Sequence, residues 1–148
     1  LSIKENVLLS CIDRYAKHGY LDEKKEKQDV SEKAEALKIR MTGLDQRIIE
    51  LSGGNQQKAV FAKALMTNPK VFLCDEPTQA VDIMTRNEIH KLLREKADAG
   101  NAVVYVSSDL KEILEVADTI QLVVQGETRQ LLVNENLTTT EVLSYCYE

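Results

Sequence analysis

Two short apolar runs, Val71-Phe72-Leu73-Cys74 and Ala102-Val103-Val104-Tyr105-Val106, constrain this chain more than any other feature. The first shows no polar alternation, which suits a strand covered on both faces in a parallel sheet. Between the runs, Ile89, Leu92 and Leu93 recur at helical spacing, and Ala99-Gly100-Asn101 ends that helix. Strand, helix, strand in this order is a βαβ unit, so an α/β fold with an at least partly parallel sheet is expected.

The remaining chain is read around that unit. Residues 2 to about 42 are expected to be helical, opened by the capping-box pattern Ser2-x-x-Glu5 and broken at Gly19. Asp22 to Glu35 mixes charge signs, the mark of a solvated helix face, while Val30, Ala34, Leu37 and Met41 form a stripe assigned to core. Ala59, Ala62, Leu65 and Met66 line a helix stopped by Asn68-Pro69, with Lys58 and Lys63 off that face. Asp109 and Glu112 are expected to cap a helix containing Ile113, Leu114 and Ala117. Thr119–Val124 and Thr128–Val133 flank Gln125-Gly126-Glu127 as a hairpin, and Thr138-x-x-Glu141 caps a last short helix with Val142 and Leu143.

Composition narrows the function classes. A net charge of −5 gives no basic field for nucleic acid, so no nucleic-acid partner is expected. No apolar run approaches the roughly eighteen residues of a membrane span, and the first residues do not form a signal peptide. Cys11, Cys74 and Cys146 are odd in number and lack a C-x-x-C spacing, so they are read as reduced thiols, with Cys74 in the core. His18 and His90 stand alone among charged residues and are read as surface side chains.

Two stretches carry chemistry. Ser52-Gly53-Gly54 opens a helix, where unpaired amides, the absence of side-chain obstruction and the helix dipole suit an anion. Ser52 is either a hydroxyl donor to that anion or an N-cap. Asp75 and Glu76 end the first apolar run, where ligands of open α/β sheets bind; adjacent carboxylates there are costly unless they meet a metal or a reacting water, the alternative being a helix-capping pair. In triphosphate chemistry such an aspartate holds Mg²⁺ through water and such a glutamate polarises the attacking water.

Leu51-Ser52-Gly53-Gly54-Asn55-Gln56-Gln57-Lys58 resembles the signature motif of ATP-binding-cassette (ABC) ATPases, and Val71 to Thr78 resembles their Walker B strand. Gln79-Ala80-Val81-Asp82 looks like the D-loop, with Gln79-Ala80 where Arg-Gly is common. The Asn-Gln-Gln-Lys form is similar to the C-terminal cassette of tandem ATPases that drive ribose, galactose and xylose importers, and Ser107-Ser108-Asp109 agrees, with Ser108 at the position of the usual switch histidine.

The resemblance implies the C-terminal part of a P-loop NTPase core, with a mostly parallel sheet. A helical signature subdomain would occupy residues 1–50 and continue into the helix of 51–68, with the second half of the core at 69–148. It implies ATP and Mg²⁺, with Glu76 catalytic and Asp75 on the metal. Ser52, Gly53, Gly54, Asn55 and Gln56 would reach the γ-phosphate held by a second cassette, with Ala80, Val81 and Asp82 at the D-loop. Expected partners are that cassette, transmembrane permease subunits and, indirectly, a substrate-binding protein, on the cytoplasmic face of the membrane. No Gly-x-x-x-x-Gly-Lys-Ser/Thr loop occurs, so the chain is expected to be a fragment that neither binds ATP tightly nor hydrolyses it, and that self-associates through an open sheet edge. The alternatives are a non-catalytic interaction fragment and a cassette ATPase acting on DNA or ribosomes.

Overall fold

The computed structural model describes residues 1–17 and 20–147, so the expectations for His18 and Gly19 lie outside the described residues. The first helix, α1 (Ile3–Leu8), carries the anticipated capping box: the Ser2 hydroxyl accepts from the Glu5 amide at 3.2 Å, and the Ser2 amide donates to Glu5 Oε2 at 2.7 Å. The helical reading of residues 2 to about 42 holds only in part, because the first helix ends at Leu8, well before Gly19, and the second at Ala36. A 3-10 turn (Ile12–Arg14) and a small antiparallel hairpin, β1 (Ala16–Lys17) with β2 (Tyr20–Leu21), separate α1 from α2 (Glu23–Ala36). The reason is tertiary. Breaking the helix lets Cys11 and Tyr15 enter the core, and Arg14 donates to the carbonyls of Met66 (2.7 Å) and Thr67 (2.8 Å), capping another helix.

On α2, Val30 and Ala34 are buried, Leu37 follows them into the core, and Met41 packs against it. Its charged run is not wholly solvated, because Glu26 is buried and pairs with Lys4 at 3.4 Å. The central helix is α3 (Gly53–Met66), with Ala59, Ala62 and Met66 buried as the spacing predicts. Lys58 departs from expectation. It is buried, forms an ion pair with Glu88 and donates to the Lys38 carbonyl at 3.4 Å. Because α3 packs against α1 and α2 and also faces the next helix, more of its circumference is covered than one apolar stripe announces.

The βαβ unit follows. β3 (Val71–Asp75) and β4 (Ala102–Val106) pair in parallel, in register from Val71↔Ala102 to Asp75↔Val106, and α4 (Ile83–Asp98) connects them. A Schellman ending closes α4: the Gly100 amide, at φ 91°, bonds the Ala97 carbonyl, and the Asn101 amide bonds that of Lys96. Phe72 and Cys74 point into the core, but Val71, Leu73, Val104 and Val106 are exposed, with Leu73 at 78%. The cover expected on both faces is therefore present on one, since the described helices pack on a single side of the pair.

The last third is α5 (Leu110–Val116), the hairpin of β5 (Thr119–Val124) and β6 (Glu127–Val133), and α6 (Thr139–Tyr147). Gln125 and Gly126, at φ 52° and 82°, make the two-residue turn that suits a twisted hairpin. Thr138 and Glu141 cap α6 as expected. Ile120, Leu122, Leu132 and Val142 form a second apolar cluster, separate from the larger one that joins the N-terminal helices to the βαβ unit.

Candidate functional site

Two turns hold the residues singled out above. The glycine turn opens α3, where Ser52 has extended backbone and its hydroxyl makes no capping bond to the helix amides. That hydroxyl accepts instead from Asn55 Nδ2 at 2.9 Å, while Asn55 Oδ1 accepts from the Arg40 amide at 2.9 Å. Gln56 Nε2 donates to the Leu51 carbonyl at 2.8 Å. The Asn55 and Gln56 side chains thus shape the turn, and the first amides of α3 are left without a side-chain cap from Ser52.

The two glycines have different reasons to be glycine. A Cβ on Gly53 would meet nothing within 4 Å, whereas one on Gly54 would lie 2.7 Å from Thr85 Oγ1 and 3.3 Å from Asp82 Oδ2. Gly54 therefore packs against the start of α4, where Asp82 is the N-cap and accepts from both the amide and the hydroxyl of Thr85 at 2.9 Å. Those bonds hold the Asp82 carboxyl below its ordinary range. Gln57 Nε2 donates to the Pro77 carbonyl at 2.6 Å and so ties α3 to the second turn.

The second turn leaves the C-terminal end of β3. Asp75 is exposed there. Glu76 takes a left-handed backbone, φ 44°, unusual for a residue with a Cβ, and its amide donates to the Val106 carbonyl at 2.9 Å. Its Oε1 accepts from the Ser108 amide at 2.7 Å, across the exit of β4. Glu76 and Ser108, separated by 32 positions, are thereby brought together. Ala80 is also left-handed, φ 59°, as the chain bends toward Asp82. Among the described residues no hydrogen bond joins Ser52 to Gln56 directly with Asp75 or Glu76, so the two turns are linked through Gln57.

Beneath the second turn lies a buried polar cluster that the sequence reading missed. Glu112, 3% exposed, accepts at Oε1 from the Thr78 hydroxyl, from His90 Nε2 (2.8 Å) and from the Tyr105 hydroxyl (2.8 Å), and at Oε2 from the Ser107 hydroxyl (2.9 Å). Burial pushes its carboxyl up, but the four donors outweigh burial and bring it down to about 2. Tyr105 is pushed up, chiefly by burial and further by Glu112. His90 is therefore not a surface residue: its side chain is 12% exposed and its ring meets Tyr105 edge-on. Asp109 caps α5 as expected, accepting from the amides of Lys111 and Glu112. Glu112 does not reach back to complete a box; it turns inward, and the Ser107 hydroxyl accepts from the Asp109 amide at 3.1 Å in its place.

Residues 1–79, more than half of the 148, match the family described as ABC transporter. The chain belongs to the ABC transporter family. The xylose import ATP-binding protein XylG of Paraburkholderia xenovorans is 40% identical over 144 residues, covering 97% of this chain and 28% of that protein. The ribose import ATP-binding protein RbsA of Lactococcus lactis subsp. lactis is 39% identical over 142 residues, 96% of this chain and 29% of that protein. The chain thus spans under a third of the length of these relatives. A solved dimeric bacterial ABC transporter cassette superposes with a TM-score of 0.78 at 28% identity, covering 93% of this chain and 58% of that one.

Within this ABC chain the two turns differ in what they offer. The α3 turn offers helix amides and an unobstructed Gly53, a chemistry that suits an anion. The β3 turn offers two carboxylates, one free in solvent and one fixed by a backbone amide, the equipment for a hydrated cation and for orienting a water. Cys11 and Cys74 are buried, and burial pushes both thiols up, as befits packing residues. Gln57 and Thr78 stand inside the two motifs, but their roles were not readable there because each bonds a partner 20 or 34 positions away. Thr85 is bonded locally by Asp82 and is distant in sequence only from Gly54, against which it packs.

Proposed function

We propose that this chain supplies two complementary half-sites of a sugar-importing ABC ATPase. In the complete protein, residues 1–50 with the helix of 51–68 form the helical signature subdomain, and 69–148 form the second half of the ATPase core. The α3 turn meets the γ-phosphate of ATP held by a second cassette. With the Asn55 and Gln56 side chains engaged by Arg40, Ser52 and Leu51, the phosphate is met by the Ser52 hydroxyl and the amides from Gly53 onward. Ala80, Val81 and Asp82 line the same junction, and Asp82 sets the start of α4 against Gly54.

Glu76 serves the nucleotide site of its own cassette as the group that orients and deprotonates the attacking water, a role worth about 10²- to 10⁴-fold in rate. The residues suit Mg²⁺: Asp75 is an exposed carboxylate at a strand end beside Glu76, the kind of oxygen ligand taken by an ion that keeps several waters and the substrate's phosphates. When bound, Mg²⁺ neutralises phosphate charge. Ser108, in place of a histidine, acts through its amide, which holds Glu76. Nucleotide-driven closure and reopening then moves permease subunits that receive sugar from a binding protein, with this chain on the cytoplasmic face of the membrane. No described helix is long and apolar enough to cross a membrane.

The observation that carries this reading is the 2.7 Å bond between Glu76 and the Ser108 amide, which aims a carboxylate beyond the end of a parallel strand pair. Its test is phosphate release by the full-length protein carrying Glu76→Gln. Hydrolysis at this site is expected to stop while ATP binding persists; wild-type turnover would remove Glu76 from the chemistry.

A further inference from the structure

The Glu112 carboxylate touches neither of the two carboxylates assigned to the nucleotide site, yet it is bonded to the segments that follow β3 and β4 on either side of Glu76. Its Oε1 is held by Thr78, two residues beyond Glu76, and its Oε2 by Ser107, one residue before Ser108. Since Ser108 in turn holds Glu76, the bonds close a ring: Glu76, Pro77, Thr78, Glu112, Ser107, Ser108 and back to Glu76. A buried group at the centre of such a ring fixes the separation of the β3 and β4 exits.

We propose that Glu112 is a positioning residue for hydrolysis, a brace that clamps the Thr78 and Ser107 turns together and so sets where the Ser108 amide holds the Glu76 carboxylate. The inference rests on the catalytic reading of Glu76 given above. His90 and Tyr105 complete the brace. Their donors converge on the same oxygen as Thr78 and fix the Glu112 rotamer, and the Tyr105 hydroxyl also lies 3.1 Å from that of Thr78. The arrangement differs from an ordinary capping box, in which a carboxylate at this helix position satisfies a local amide. Here the Ser107 hydroxyl takes over the Asp109 amide, which frees Glu112 to reach groups 34 and 22 positions away.

In the full-length protein, Glu112→Ala is expected to lower kcat for ATP hydrolysis about 10- to 100-fold, the scale of a misplaced catalytic group, with KM for ATP changed less than about twofold. Ser107→Ala, which removes one arm, is expected to lower kcat about tenfold. Glu112→Gln keeps an acceptor at Oε1 and can donate to the Ser107 hydroxyl, so it is expected to recover most of the loss. In the 148-residue chain, the Ser108 amide proton, shifted downfield by its charge-assisted bond, is expected to move upfield in both alanine variants, as read by amide NMR. If Glu76→Gln turns over like wild type, the functional reading falls and the brace with it. If Glu76→Gln is inactive while Glu112→Ala and Ser107→Ala retain wild-type kcat, the brace alone is overturned. A fall in kcat with the Ser108 resonance unmoved overturns it as well. Should Glu112→Ala not fold, Ser107→Ala decides by the same two readouts.

Discussion

The turn that opens α3 and the turn that leaves β3 are built on opposite plans. The first is latched from its own side by neighbouring polar groups, Asn55 to Ser52 and Arg40 and Gln56 to Leu51, and its outer surface is clear enough that Gly53 has nothing within 4 Å of an added Cβ. The second is braced from beneath by a buried carboxylate with four donors and carries a left-handed glutamate. Under the proposed function the first must receive a ligand from another body, which needs access. A group that must aim one oxygen needs rigidity, and rigidity is supplied by buried, fully bonded polar groups.

The largest expected effect breaks the brace by acid. Because the Glu112 carboxyl lies near 2 in the fold against an ordinary 4.5, its bonds contribute up to about 3 kcal/mol to stability above pH 4.5, and this is lost as the pH falls toward 2. Urea unfolding of wild type and Glu112→Gln should therefore show a gap at pH 7 that narrows markedly at pH 3; an equal gap at both would mean that the carboxylate is not held as described. Next comes the glycine contrast. Gly54→Ala forces its methyl against Thr85, a buried and hydrogen-bonded side chain, at a cost of about 1–3 kcal/mol, whereas Gly53→Ala should change stability by less than about 1 kcal/mol. Equal melting temperatures for the two variants would dissolve the distinction. The smallest effect is Asn55→Ala, expected to cost about 1 kcal/mol by releasing the Arg40 and Ser52 bonds. A neutral result in the same unfolding measurement would show that the α3 turn holds its shape without the latch.

The same contrast explains what could be read in the amino-acid sequence. Local grammar was legible: the Ser2–Glu5 and Thr138–Glu141 boxes, the Gly100 ending and the parallel pairing of two apolar runs form as expected, and the hairpin forms with a turn one residue shorter than expected, Glu127 pairing with Val124. Each depends on residues within a few positions of one another, or on a pattern the topology leaves little choice about. Lys58, His90 and Glu112 were illegible because charge alone places such residues in water, and only partners 30, 22 and 34 positions away make their burial affordable. The break after Leu8 escaped for the same reason, since Arg14 serves the end of α3 and the local helical periodicity gives no sign of it. Four apolar residues in a row state that β3 can be buried on both faces; whether neighbouring elements cover both is not written in them.

The central claim is that the two turns serve different nucleotides. A structure of the full-length protein trapped with Mg-ATP as Glu76→Gln tests it directly. The account predicts the Ser52 hydroxyl and the first α3 amides within hydrogen-bond reach of a γ-phosphate whose cradle belongs to another cassette, with Asp75 and residue 76 facing a different nucleotide. Both turns closing on one and the same ATP, or the α3 turn facing solvent in the trapped state, would contradict it.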